Sequence, residues 1–365
     1  MKHLDTDVAS LTVRLGAVRD NFGICGSLSG TAVAGVVKAD AYGLGLAPVA
    51  RALLEAGCDT FFVARLSEGI SLRPLAPEAR IFVLDGVQPE WVSELLARRL
   101  TPVLNSLEQI ETWSTAARQR HTTLDAALHF DTGMNRLGLP AEELSELADG
   151  VSRRLSGVNL VLVMSHLASA DNPQSPMNVE QLARFRAGLA RLPPASASLS
   201  SSGGIMLGRD YSFDLVRPGI ALYGGNPQPQ NPNPFKVVAV LNGRILQLRR
   251  VDKGESVGYG ATFRTARPST LATVALGYAD GLMRAMGNRG AGAIAGTKVP
   301  VAGRVSMDLI TLDVTDAPSL APGADVEFLG DTITLEELAA AAQTASYEIL
   351  TLLGARIPRR YVEAP

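Results

Sequence analysis

Eight short apolar runs, each followed by a stretch with helical spacing, fill this chain up to Tyr223. The runs lie near 33–37, 60–64, 81–84, 101–104, 126–131, 160–164, 197–201 and 220–223. Helical patterns fit between them, for example over 48–56, 90–99, 107–120, 142–148 and 179–192. Parallel strands cannot be joined by tight turns and need a crossover, usually a helix, so this alternation leaves few architectures. Eight repeats of it predict a (β/α)8 barrel. An open doubly wound sheet is the other candidate, but no Gly-x-Gly-x-x-Gly turn follows the first strand. Ahead of the barrel, Leu11, Leu15, Val18 and Phe22 recur at helical spacing and predict a helix over 11–28.

The style changes at Asn226. The segment 226–234 is rich in proline and asparagine and reads as a linker. Beyond it, β-branched runs at 237–247, 271–276, 298–301, 309–314 and 325–329 are broken by Gly and Asp, which predicts a mainly β unit closed by a helical segment over 335–353. The expected division is a barrel over 11–230 and a β domain over 231–365 that includes residues 1–10. A chain of 365 residues with 46% hydrophobic content can fill two cores. The net charge of -2 gives no electrostatic reason to expect nucleic acid or an anionic membrane surface as partner. Cys25 and Cys58 have no metal-like spacing, no metal site is expected, and the pair suits a reducing cytoplasm. The N-terminus lacks an apolar leader pattern and no run approaches a membrane span, so a soluble cytoplasmic protein is expected.

Chemistry-bearing residues fall at the carboxyl ends of the predicted strands, where barrels keep their sites. The first strand delivers Lys38, with Tyr42 four residues on. A lone lysine at a strand end is ordinary surface charge. Behind a buried strand, desolvation lowers its pKa and makes it useful as an imine-forming nucleophile or base. The fifth strand leads to Arg136, a permanent cation able to grip an anion in forked geometry. The sixth ends at His166, and the seventh at a Ser/Gly run containing Ser202. The eighth region is Asp214-Leu-Val-Arg-Pro-Gly-Ile-Ala-Leu-Tyr-Gly224, and loops after strands seven and eight recurrently hold phosphate in barrels.

The segment Val36-Val-Lys-Ala-Asp-Ala-Tyr-Gly-Leu-Gly45 resembles the pyridoxal phosphate attachment segment of alanine racemases, without a gap. In the family's order there follow Asp131-Thr-Gly-Met-Asn-Arg136, Ser165-His166, Val216-Arg-Pro-Gly-Ile220, Gly258-Tyr-Gly260, Gly277-Tyr-Ala-Asp-Gly281, Gly303-Arg-Val-Ser-Met-Asp308 and Arg356-Ile-Pro-Arg359. The resemblance implies a pyridoxal phosphate enzyme racemising alanine, with Lys38 holding the cofactor as an imine. It places Tyr42, Ser202, Gly219, Ile220 and Tyr347 around the phosphate, and Arg217 against the pyridine nitrogen with His166 in support. Arg136 would face the cofactor's phenolic oxygen and the substrate carboxylate. The backbone of Met307 would also receive that carboxylate, and Tyr278 would stand near the entrance. Lys38 and Tyr259 would be the two bases, on opposite faces of the substrate, with Tyr259 supplied by the partner of a homodimer with shared sites. Free amines and phenols both titrate near roughly 10, so burial or neighbouring cations must activate these groups. D-alanine for cell wall synthesis would be the product.

One position departs from the family. Many alanine racemases carry a carbamylated lysine two residues before the Asp-Thr-Gly-Met motif, and here that residue is His129. Strand alternation puts His129 and Asp131 on one face. Histidine supplies no permanent anion, so a chloride, a water or a nearby carboxylate is expected to hold Arg136. The alternatives are a racemase of another small amino acid such as serine, and a non-catalytic pyridoxal phosphate-binding protein.

Overall fold

A computed structural model describes residues 7–364. Seven strands form one parallel sheet in sequential order: Gly35–Val36, Thr60–Val63, Arg80–Val83, Thr101–Leu104, Leu124–His129, Val158–Met164 and Ser196–Ser198. Leu215–Val216 pairs in parallel with Ala32–Val33, the start of the first barrel strand. The Arg217 N–H donates to Ser200 O and the Val36 N–H to Pro218 O, which closes the circle. The chain therefore folds as a (β/α)8 barrel followed by a mainly β domain. Helices cover the outside in the amphipathic manner. In Leu107–Gln119, for instance, Ile110, Trp113, Ser114 and Ala117 are buried, and Ser106 caps the first turn by accepting the Gln109 N–H at 3.3 Å.

Two predicted elements are corrected. The eighth strand is Leu215–Val216, and 220–223 is instead a short 3-10 helix, Ile220–Tyr223. Pro218 has no N–H to continue a ladder, and Gly219 turns the chain with φ −118° and ψ −83°. The apolar run is buried there as a turn. The predicted helix over 11–28 starts only at Leu15, because Ala9–Arg14 is a strand. Leu11 and Val13 are buried while Thr12 and Arg14 are half-buried, a period of two. The helix Leu15–Ser29 stops at Gly30, whose φ of 69° is left-handed.

Ala9–Arg14 belongs to the β part of the molecule. It pairs antiparallel with the long strand Ala239–Val251 and parallel with Arg359–Val362. Residues 1–6 lie outside the described residues. Ala239–Val251 is the spine of this sheet: after a bulge near Ile245 it also pairs with Ser269–Val274, and it carries Asp325–Leu329. The closing helical segment is two helices, Leu335–Ala342 and Ser346–Thr351, broken where Gln343 takes φ 58°. The segment 226–234 has no regular structure, yet it is not a loose linker. Asn226 and Gln228 are buried, and the Gln228 side-chain amide donates to Ala170 O at 2.9 Å. Among the described residues no helix is long and apolar enough to cross a membrane.

Candidate active site

The carboxyl ends of the barrel strands open into a cavity of about 650 Å³. Its wall contains Lys38, Tyr42, His129, Arg136, His166, Ser202, Arg217, Gly219, Ile220 and Tyr347, with Val36 and Phe62 as apolar lining. Ten positions scattered over three hundred residues of sequence thus meet around one space. Tyr259, Tyr278 and Met307 do not line it. They lie on the β domain with 70%, 43% and 54% of their surface exposed.

Lys38 is half-buried at the end of the first strand. Burial pushes its pKa down, the Arg136 cation adds to the effect, and Glu68 and Asp85 oppose it. The turn that follows is unusual. Ala39, Asp40, Ala41 and Tyr42 all have φ between 52° and 56°, a left-handed turn of four residues with side chains. Each such residue costs roughly 1–2 kcal/mol, so the surroundings must hold it. The Ala39 N–H donates to Glu68 Oε1 at 2.6 Å, and the Leu46 N–H to Asp40 Oδ1 at 2.7 Å. The turn brings Tyr42 into the cavity wall, its ring tilted against those of Tyr223 and Tyr347 with centroids 4.7 and 6.1 Å away.

Ser202 fixes the backbone around Gly219 in the cavity wall. Ser202 Oγ accepts the N–H groups of Gly219 and Ala221 at 3.0 and 3.2 Å. A Cβ on Gly219 would meet the Tyr42 phenol oxygen at 2.2 Å, so only glycine leaves this close approach possible. Arg217, in the same wall, is buried. Its guanidinium donates to Ser198 Oγ, to Ser165 O at 2.6 Å and to Leu199 O at 3.5 Å, and it sits 5.8 Å from the Phe62 ring centre. Burial pushes its pKa down to about 9, still charged at neutral pH. His166 lies beside it, and burial together with the Arg217 and Arg136 cations pushes its imidazole down to about 3.

His129 is buried, with Nδ1 2.8 Å from Asn105 Oδ1. The Asn105 amide nitrogen donates to Leu84 O and Val103 O at 2.9 and 2.8 Å, so Oδ1 must accept. His129 therefore carries its proton on Nδ1 and is neutral, its pKa pushed down to about 4 by burial and then by the Arg217 cation. Among the described residues no carboxylate forms an ion pair with Arg136. Asp131 is used inside its own loop, where Oδ1 accepts the N–H groups of Met134 and Asn135 at 2.9 and 3.1 Å. The expectation of a nearby carboxylate holding Arg136 is therefore not met among the described residues.

The loop carrying Arg136 is anchored from behind. Gln181 donates to Thr132 Oγ1 at 3.0 Å and to His166 O at 2.9 Å, and Thr132 Oγ1 pairs with Ser165 Oγ at 2.9 Å. Arg184 donates to Thr132 O at 2.9 Å. Glu68, Asn105, Thr132, Gln181 and Ser198 support the wall, and sequence reasoning missed all five. They are single polar residues on separate elements, and no spacing distinguishes them from solvated ones. An amine whose pKa is pushed down, two cations and a backbone cradle, all facing one half-apolar space, suit covalent capture of an aldehyde that bears an anionic group.

Residues 13–227 match the family model "Alanine racemase, N-terminal domain", and residues 238–361 match "Alanine racemase, C-terminal domain". An alanine racemase of Rhodospirillum rubrum is 52% identical, over 99% of this chain and 98% of its own length. A catabolic alanine racemase of Agrobacterium fabrum is 49% identical, over 97% and 92%. Among solved structures, the alanine racemase of Bartonella henselae with covalently bound pyridoxal phosphate superposes with a TM-score of 0.93 at 39% identity, covering 98% of this chain and all of that one. The biosynthetic alanine racemase of Pseudomonas aeruginosa gives 0.92 at 34% identity, with the same coverage.

Proposed function

The chain belongs to the alanine racemase family, and on that premise we propose that this pyridoxal phosphate-dependent racemase interconverts L- and D-alanine with two proton carriers, Lys38 of one subunit and Tyr259 of the other. Its residues fit the cofactor. Gly219, Ser202 and the Tyr42 phenol converge in the cavity wall, hydroxyls and backbone of the kind that would hold a phosphate. A neutralisable amine stands in the same cavity as a buried guanidinium. When bound, pyridoxal phosphate supplies the electron sink that makes an amino acid's α-proton removable.

The protein's part is to orient, to exclude water and to move protons. Lys38 Nζ would stand on one face of the substrate α-carbon and take or return a proton there. Its lowered pKa makes the amine easier to deprotonate than a free lysine. Arg217 keeps its protons at neutral pH and donates towards the ring nitrogen, with His166 beside it. Arg136 orients the substrate carboxylate, joined by the backbone at Met307, and Tyr278 narrows the entrance. Tyr42, Ser202, Gly219, Ile220 and Tyr347, all in the cavity wall, would hold the phosphate.

The second proton carrier comes from the partner subunit. One observation supports that most directly: Lys38 lines the cavity, while Tyr259, Tyr278 and Met307 stand exposed and away from it. A homodimer that seats these three over its partner's cavity completes both sites at once. The same reading keeps the boundary near residue 230, while the pairing of the whole strand Ala9–Arg14 with the β domain moves the expected start of the barrel from residue 11 to Leu15. In the cell the product would be cytoplasmic D-alanine for the cell wall, so loss of the gene should create a D-alanine requirement.

Purified protein with added cofactor should form D-alanine from L-alanine, and Lys38→Ala should lower the rate by at least about a thousandfold. Borohydride reduction followed by peptide mapping should leave the pyridoxyl group on Lys38. Label on another residue, or turnover of serine but not alanine, would overturn the proposal.

A further inference from the structure

Two loops of the β domain carry the residues assigned to the partner's site: 277–281 with Tyr278, and 306–308 with Met307. They are bound edge to edge. The Tyr278 N–H donates to Ser306 O at 2.9 Å and the Ala279 N–H to Met307 O at 3.0 Å. A Cβ on Gly277 would come within 2.3 Å of Met307 O, so the contact requires glycine there. On its other side, loop 277–281 packs against the end of Ser346–Thr351, the helix that holds Tyr347 in this subunit's own cavity. The Gly354 N–H donates to Asp280 O at 2.9 Å, and a Cβ on Gly281 would lie 2.6 Å from Leu352 O.

One side chain ties these pieces together. Arg356 Nε donates to Asp280 Oδ1 at 2.6 Å and Nη2 to Asp280 Oδ2 at 3.0 Å, the forked pairing only a guanidinium makes. The same Nη2 lies 2.8 Å from Asp308 Oδ1. Asp280 is buried, and its Oδ2 also accepts the Gly277 N–H at 2.9 Å. Removal of the arginine would leave a buried carboxylate short of partners, beside the residue that sets the loop contact.

We propose that Arg356 is a positioning residue for the partner's site: through Asp280 and Asp308 it holds Tyr278 and Met307 in one fixed arrangement, and it joins them to the helix bearing Tyr347. The proposal rests on the sharing of sites between subunits. It makes Arg356 act on a reaction centre to which its own chain contributes neither the lysine nor the cofactor cradle.

Hybrid dimers isolated with two affinity tags separate the routes. In the first hybrid, wild type is paired with a Lys38→Ala/Arg356→Gln subunit, so the one working cavity receives its loops from the altered chain. Its KM for L-alanine should rise about tenfold, with kcat changed about twofold or less, because displaced loops weaken substrate orientation more than proton transfer. In the second hybrid, Lys38→Ala is paired with Arg356→Gln, so the working cavity belongs to the altered chain and receives intact loops. Its constants should match those of a Lys38→Ala/wild-type hybrid. Arg356→Lys, which keeps the charge but not the fork, should restore part of the KM. If Arg356→Gln fails to fold, Asp308→Asn, an exposed site that loses only the second anchor, should raise KM in the same hybrid by about threefold. No change in the first hybrid, or an equal change in both, overturns the proposal. A Lys38→Ala/Tyr259→Phe hybrid serves as control: recovery there with no effect of Arg356 defeats this inference alone, and no recovery defeats the shared site as well.

Discussion

Two imidazoles in the cavity wall are held neutral, and that has a measurable cost in acid. His129 and His166 sit at about 4 and 3, below the ordinary value of 6.5, with burial the largest cause for each. A group whose folded pKa is depressed binds fewer protons folded than unfolded, so stability is fully present above pH 6.5. It is lost as pH falls from there towards 4 for His129 and towards 3 for His166. Each histidine should contribute up to about 1.4 kcal/mol per pH unit within its window. The urea midpoint of the cofactor-free protein should therefore fall between pH 6.5 and 5, with nearly two protons taken up on unfolding. Asn105→Asp replaces the acceptor on His129 Nδ1 with a carboxylate, raises the folded pKa of that imidazole, and should remove about half the slope. A midpoint flat over this range would refute neutral imidazoles. At this scale the sequence was uneven. Lys38 on its own reads as surface charge, and it was the run from Val36 to Gly45, resembling a known attachment segment, that singled it out. Asn105, which fixes the His129 tautomer, is one amide at the end of another strand and gave no signal.

Among the elements, the barrel was readable because period and length agreed: apolar runs of about five residues cannot be helices of ten or more. The reading failed where the backbone left both periods. Ile220–Tyr223 is as apolar as a strand, but Pro218 and Gly219 had already turned the chain, and burial alone does not specify the ladder. Ala9–Arg14 is too short for its alternation to outweigh the helical spacing that runs through it. The left-handed turn from Ala39 to Tyr42 goes against local preference at every step, and tertiary bonds from Glu68 and Asp40 hold it. Strain gathered beside a nucleophile marks a functional element. The turn and the Gly219 loop depend on one another through the Tyr42 phenol. Gly219→Ala should displace that phenol and close the cradle, with at least about a tenfold loss of pyridoxal phosphate affinity by fluorescence titration. The far-ultraviolet dichroism should stay unchanged, since the loop lies outside the barrel ladders. Undiminished affinity would mean that the phosphate lies elsewhere.

The whole molecule divides the labour of its proposed reaction between two places that one chain does not bring together. The barrel supplies the amine, the cations and the cradle. The β domain presents Tyr259 on the short turn Tyr259–Ala261, between glycines with φ of 72° and 74°, with the ring left to solvent. An apolar ring at 70% exposure on a built turn suits a surface that is covered in the working assembly. A closed two-fold dimer is the simplest cover, because one operation seats each turn over the other chain's cavity. Subunit exchange then has a definite arithmetic. Lys38→Ala and Tyr259→Phe proteins should each be nearly inactive. Mixed in equal amounts and allowed to exchange fully, half the dimers are hybrids. In each hybrid the Tyr259→Phe chain keeps its lysine and receives an intact phenol from its partner, while the other site lacks both groups. Activity should therefore return to about a quarter of the wild-type value. Native mass spectrometry would establish that hybrids had formed. Hybrids present without activity would place both proton carriers within one chain, and the tyrosine would then have to reach the cavity by a rearrangement of the β domain.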